Sequence, residues 1–204
     1  MRLELDHLAI SAASLAEGVA SIAALLGVTL APGGSHPYMG THNRLLSLGP
    51  GLYLEVIAID PAATRPAQPR WFDLDRFSGP PRLTNWICRT DDLDAALAAA
   101  PPGMGPAQAL SRGDYHWRFA TPPTGILPFD DAHPALIQWQ GPLHPAAALP
   151  DSGCRLRRLV VAHPDAGRLL LSLAALADPR VDVVAGEKAI MAEIDTPNGL
   201  RVLP

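Results

Sequence analysis

Lysine is almost missing from this chain. Of its 16 Lys and Arg residues only Lys188 is a lysine, and the arginines are scattered except at Arg155-Leu156-Arg157-Arg158. With a formal net charge of −4, and no aromatic residues interleaved with that cluster, the pattern excludes a nucleic-acid footprint; the cluster reads as a solvated strand edge. Cysteine is as sparse. Cys88 and Cys154 are too few for a disulfide framework and form no close metal-binding pair, so both are expected to be reduced. No apolar run is long enough to span a bilayer, and Arg2, Glu4 and Asp6 stand where an apolar leader would lie. The expectation is a cytoplasmic protein with neither nucleic acid nor membrane as partner.

Motifs of several enzyme classes are also missing. There is no Gly-x-Ser-x-Gly elbow, neither cysteine has the context of a nucleophile, and Gly103-Met104-Gly105 has no strand before it and no Lys after it to make a phosphate loop. His36, His133, His144 and His163 lie beside prolines, which points to turn and surface roles.

What is present is a core and a repeat. At 204 residues, with 48 % apolar and 18 % charged residues, the chain is ordinary globular material that can bury roughly 70 % of its unfolded surface. Leu3 to Ile10 alternates as a strand. Ser14-Leu15-Ala16-Glu17 fits a capping box opening a helix that Gly27 closes. A short strand near 28–31 and two longer ones, Arg44 to Leu48 and Leu52 to Ile59, complete a βαβββ unit over 1–60. Residues 61–81 are proline-rich and read as a linker, in which the aromatics of Arg70-Trp71-Phe72-Asp73-Leu74-Asp75 pin it to the core.

A second unit over 82–145 repeats the first. Asp6-His7-Leu8-Ala9-Ile10 lies over Thr84-Asn85-Trp86-Ile87-Cys88, and Tyr53-Leu54-Glu55-Val56 over Leu136-Ile137-Gln138-Trp139. Asp92 caps its helix, Pro101-Pro102-Gly103 stops it, and strands follow near 107–111, 115–121 and 135–140. Residues 155–204 give a third βαβββ-like segment, with a helix from Pro164 to Ala177, that carries no ligand set and is expected to pack on the other two.

On Leu5-Asp6-His7-Leu8-Ala9-Ile10, Gly40-Thr41-His42-Asn43-Arg44, Tyr53-Leu54-Glu55-Val56 and Leu136-Ile137-Gln138-Trp139, the chain resembles the vicinal oxygen chelate superfamily and its glyoxalase-like domain proteins. The resemblance implies an α+β fold in which paired βαβββ modules curl into a half-open barrel around a cleft. It also implies a divalent metal (Zn, Ni, Fe or Mn) held by His7, Glu55, Asn85 and Gln138. The last two are neutral amides and weak donors, so the set carries one full anion against a dication.

Strand alternation puts Tyr53 and Glu55 on one face, and a buried Glu55 needs a metal, Arg118 or a proton as partner. The repeat lays His116 over Asn43, with His42 facing the other way unless a bulge reverses it. His42, Asn43, Tyr53, His116, Arg118 and Trp139 are therefore the candidate cleft lining. Two functions follow. One is a metal-dependent lyase, isomerase or dioxygenase acting on vicinal oxygens, with Glu55 moving the proton. The other is a metal-free protein that binds or sequesters a small ligand, with Trp86, Trp117 and Trp139 available to stack on it. A homodimer is one expected assembly; three units in one chain make a monomer the alternative.

Overall fold

The computed structural model describes residues 2–204. The first unit runs β1 (Glu4–Ser11), α1 (Leu15–Leu26), β2 (Ala31–His36), β3 (Thr41–Ser47) and β4 (Tyr53–Ile59). Its helix starts where Ser14 Oγ accepts from Glu17 N and ends at Gly27, whose φ of 70° is the left-handed cap that glycine adopts at least cost. The second unit runs β5 (Arg82–Arg89), α2 (Leu93–Ala99), β6 (Ala107–Arg112), β7 (Tyr115–Ala120) and β8 (Ala135–Gln140). Here Asp92 caps the helix by accepting from Ala95 N.

Both units share one eight-stranded sheet in the order β2-β3-β4-β1-β5-β8-β7-β6. The antiparallel β1–β5 pair lies at its centre, flanked by the parallel pairs β1–β4 and β5–β8, so the two halves mirror each other. The sheet curls until its edges nearly meet. Arg112, the last residue of β6, hydrogen-bonds His36 of β2 and Asn43 of β3 across the gap.

The remaining chain forms a short helix α3 (Pro145–Ala148), then β9 (Arg155–His163), α4 (Ala166–Ser172), β10 (Val181–Ala185), β11 (Ala189–Thr196) and β12 (Gly199–Leu203). These strands make a separate sheet ordered β10-β9-β11-β12. Its Leu159, Val161, Ile190 and Ile194 join Leu8, Ile10, Trp86 and Ile87 in one continuous core, and Leu83 N donates to Pro204 O at 2.9 Å. A third βαβββ-like unit thus supports the central β1–β5 pair from outside the barrel.

Local differences from the sequence reading have simple causes. β2 begins at Ala31 and runs to His36, because Pro32-Gly33-Gly34 hides its strand character; His36 is therefore a buried strand residue. α4 stops at Ser172, short of the expected Ala177. In the 61–81 connection Trp71 and Phe72 are buried, and Phe72 and Asp73 hold φ of 59° and 51°. Left-handed backbone costs a non-glycine residue on the order of 1 kcal/mol, so packing fixes these rings against a local preference.

Candidate functional site

The site starts at a bulge. β1 pairs with β5 as Leu5 to Cys88 and then His7 to Ile87, which leaves Asp6 as an extra residue. Strict alternation would separate Asp6 from His7; the bulge brings both side chains together. Asp6 is fully buried, and its carboxylate meets His7 Nδ1 at 2.6 Å, His144 Nε2 at 2.9 Å and Trp139 Nε1 at 3.0 Å. Burial pushes its pKa up, but the hydrogen bonds from His144 and His7 outweigh that and hold it well below the usual carboxylate range.

An ionised Asp6 only accepts, which fixes the protons around it. His7 Nδ1 must carry hydrogen, so in the neutral tautomer it is Nε2 that presents a lone pair. His144 donates through Nε2 and accepts from Ala146 N at Nδ1, the same tautomer logic on the opposite nitrogen. His144 is thus bound into the site, not the surface residue its proline neighbour suggested.

His7 Nε2 lies 3.7 Å from Glu55 Oε2, on the adjacent strand β4. The imidazole stacks on Tyr53 with centroids 4.4 Å apart and planes 12° off parallel. Burial, then the charges of Asp6 and Glu55, push the Tyr53 phenol well above its ordinary pKa, so it stays neutral. Asn43 orients the other Glu55 oxygen. Its Oδ1 accepts from Gly34 N at 2.8 Å and Arg112 Nη1 at 3.3 Å, which turns Nδ2 to donate to Glu55 Oε1 at 2.5 Å. A Cβ on Gly33 would sit 2.1 Å from Asn43 Oδ1, so glycine there is what lets the amide reach its place.

His36 completes the polar side. Its Nε2 can only accept from the Arg112 guanidinium, at 3.2 Å, so Nδ1 donates to Thr41 Oγ1 at 3.2 Å. Burial, reinforced by the nearby Arg112 charge against the pull of Glu55, brings its pKa down to about 4, and the ring is neutral.

Opposite stand Trp71, Phe72, Trp117, Phe119, Ile137 and Trp139, closing a cleft whose free volume is about 40 Å³. That holds a few waters or the small end of a ligand. Trp117 and Trp139 pack at 5.6 Å, and Trp139 is anchored through its indole to Asp6.

Of the expected lining, Asn43, Tyr53 and Trp139 face this cleft with His7 and Glu55. His116, Arg118 and Gln138 do not. β7 pairs with β8 as Trp117 to Trp139 and Phe119 to Ile137, so Arg118 and Gln138 are a pair on the other face. There Gln138 Nε2 donates to Asp91 O at 2.6 Å, Arg118 binds Asp94 at 2.7 Å, and His116 is exposed. The overlay of Gln138 on Glu55 is out of register by an odd number of residues, because Ile137 and Trp139 are the β8 residues that face inward, and an odd shift inverts every side chain of the strand. His42, next to Asn43 on β3, faces away and does not line the cleft. Asn85 is buried but also lies off the cleft; its Nδ2 reaches Asp131 at 3.5 Å and its Oδ1 has no partner. Asp6, His36, Arg112, Trp71 and Phe72 are the site residues that alternation alone did not find.

The donor set does not fit the divalent metal implied by the resemblance. His7 Nε2 and Glu55 make two donors, β7 and β8 of the second unit turn only apolar walls inward, and the cleft's other charge is the Arg112 cation from β6. Catalytic zinc sites take three protein ligands, and no group of three His, Cys, Asp or Glu with metal-binding geometry occurs among the described residues.

Residues 5–177 match the glyoxalase-like domain. The chain belongs to that family. A search of curated proteins gave no match. Among solved structures, a hypothetical protein from Staphylococcus aureus aligns with 14 % identity and a TM-score of 0.56, over 97 % of this chain and 83 % of that one. Methylmalonyl-CoA epimerase from Mycobacterium tuberculosis aligns with 20 % identity and a TM-score of 0.44, over 71 % and 91 %. A Streptomyces coelicolor methylmalonyl-CoA epimerase variant in complex with 2-nitronate-propionyl-CoA aligns with 14 % identity and a TM-score of 0.45, over 70 % and 100 %. In this glyoxalase-like chain the large eight-stranded sheet is nearly closed into a barrel. No helix among the described residues is long and apolar enough to cross a membrane.

Proposed function

We propose that this glyoxalase-like protein is a small-molecule enzyme that moves a proton at a carbon beside a carbonyl, using Glu55 and His7 and no resident metal. The observation that carries the reading is His7 Nε2. Its ring is pinned by a buried, ionised Asp6, its lone pair is free, and Glu55 Oε2 stands 3.7 Å away in the same small cleft.

In this scheme Glu55 takes the proton, and the C–H electron pair moves onto the carbonyl oxygen to give an enolate. His7 Nε2 accepts the proton from Glu55, and the resulting imidazolium sits between two carboxylates, Asp6 and Glu55. Return of the proton to the same carbon gives epimerisation, to another carbon isomerisation; loss of a group at the next carbon gives a lyase outcome. A positioned acid–base pair contributes on the order of 10²–10⁴-fold. The aromatic walls and a free volume of about 40 Å³ leave little bulk water to screen these charges.

The test is proton NMR in D₂O with chelator present, across a panel of small 2-oxo acids and 1,2-dicarbonyls. Exchange of the proton beside the carbonyl is expected, reduced about 100-fold or more in Glu55→Gln and in His7→Asn. Equal exchange in those variants would contradict the scheme.

A second reading, ligand sequestration without chemistry, is favoured by one observation: β7 and β8 turn only Trp117, Phe119, Ile137 and Trp139 into the cleft. It is distinguished by saturable tryptophan quenching with no exchange for any compound that binds.

A further inference from the structure

Arg112 stands at the junction of two cavities. It lines the inner cleft with His7 and Glu55, and it also lines an outer groove of about 580 Å³ between β2, the β6–β7 turn and the segment around α3. Its Nη1 donates to two neutral acceptors, His36 Nε2 and Asn43 Oδ1, and among the described residues no carboxylate lies within 4.0 Å of it. A half-buried guanidinium without an anion is a recognition element waiting for one, since its fork of donors matches a carboxylate. The route it takes is built in: a Cβ on Gly34 would lie 2.7 Å from Arg112 Cδ, so the side chain crosses bare backbone to reach the junction.

The groove beyond is apolar. Leu45, Leu143, Pro145, Ala148 and Leu149 line it, and Leu143 is left 48 % exposed. Apart from Arg112, Asp114 at the β6–β7 turn is the charged residue on its walls.

Resting on the reading of the inner cleft as the reaction site, we propose that the ligand is an amphipathic carboxylic acid. Its carboxylate is held by Arg112 at the junction, its small reactive end enters the cleft toward His7 and Glu55, and its apolar substituent lies along the outer groove. A single guanidinium balances a monoanion; a phosphate monoester, near two negative charges, finds no second cation in either cavity. Each methylene that leaves water for the groove is expected to tighten binding by up to about fourfold until the groove is full.

The experiment titrates tag-free protein in chelator with straight-chain carboxylic acids of increasing length, the matching primary alcohols and the matching alkyl phosphates. Tryptophan quenching and calorimetry report binding. Acids are expected to bind at least tenfold tighter than alcohols and phosphates of the same length, with affinity rising along the series. Arg112→Gln is expected to erase the preference for acids, and Leu143→Asp to flatten the dependence on length. Alcohols or phosphates binding wild-type protein as well as acids, or a flat length series, would overturn the assignment even if the Arg112 variant does not fold. Acids that bind as described while no proton exchanges would leave this ligand assignment standing and remove the acid–base scheme. Exchange on short neutral carbonyl compounds, with no preference for acids or for length, would do the reverse.

Discussion

The two βαβββ units occupy mirrored places in one sheet, yet they bring different chemistry to the cleft. The first supplies Asp6, His7, His36, Asn43 and Glu55; the second supplies Trp117, Phe119, Ile137, Trp139 and a single cation, Arg112. Duplication of a fold therefore does not imply duplication of a ligand set. In the proposed scheme one half holds and moves protons, and the other excludes water and places a charge at the mouth. A metal site drawn from both halves would need donors that the second half turns to its outer face.

The contrast breaks hardest at Asp6. Asp6→Ala leaves His7 and His144 without their anion and Trp139 without an acceptor, so a loss of about 3–5 kcal/mol in chemical unfolding is expected, with proton exchange falling alongside. A variant as stable as wild type would show that the bulge is incidental.

Next is the register of β8. Trp139→Ala removes a cleft wall and its anchor to Asp6, at an expected cost of roughly 2–4 kcal/mol, whereas Gln138→Ala, on the outer face, should cost less than about 1 kcal/mol. Equal losses would mean that the strand does not sit in the register described.

The pH dependence of stability separates the buried histidines. His36 and His133 have folded pKa values brought down to about 4 by burial from an ordinary 6.5, with a hydrogen bond to Pro134 O opposing the shift at His133. The unfolded chain binds more protons between those values, so stability is full above about 6.5 and falls as pH drops toward 4. Each ring accounts for a loss of roughly 3 kcal/mol by pH 4. Asp6 runs on the carboxylate side: its depressed pKa holds stability above its unfolded value near 3.8 and gives it up only in stronger acid. Thermal melts from pH 7 to pH 4 should therefore slope downward, with a shallower slope in His36→Asn.

Much of the fold was legible because its signals are local. The Ser14 box, Gly27 and Asp92 mark helix ends by hydrogen bonds within a turn, and the repeat offset from His7 to Asn85 is carried by apolar strands of matching length. The first unit's side of the site was readable for the same reason, since Tyr53 and Glu55 alternate on a strand whose partner is close in sequence. The rest depended on facts that alternation cannot carry. Asp6 reaches His7 only through a bulge in its pairing with β5. Leu136-Ile137-Gln138-Trp139 is apolar on both sides of Gln138, so its pattern does not say which face is inward. Arg112 and His36 lie at the ends of the two edge strands, and they meet only because the sheet curls.

The most direct test of the central claim, that the chemistry lives in the first unit and needs no metal, is the rate of solvent proton exchange into a bound 2-oxo acid before and after exhaustive chelation. It is measured in wild type, Glu55→Gln, Asn85→Ala and Gln138→Ala. The expected result is an unchanged rate on chelation, near-wild-type rates in the Asn85 and Gln138 variants, and collapse in Glu55→Gln. A rate that vanishes with chelator, returns with Zn²⁺, Ni²⁺, Mn²⁺ or Fe²⁺, and falls in Gln138→Ala would contradict it.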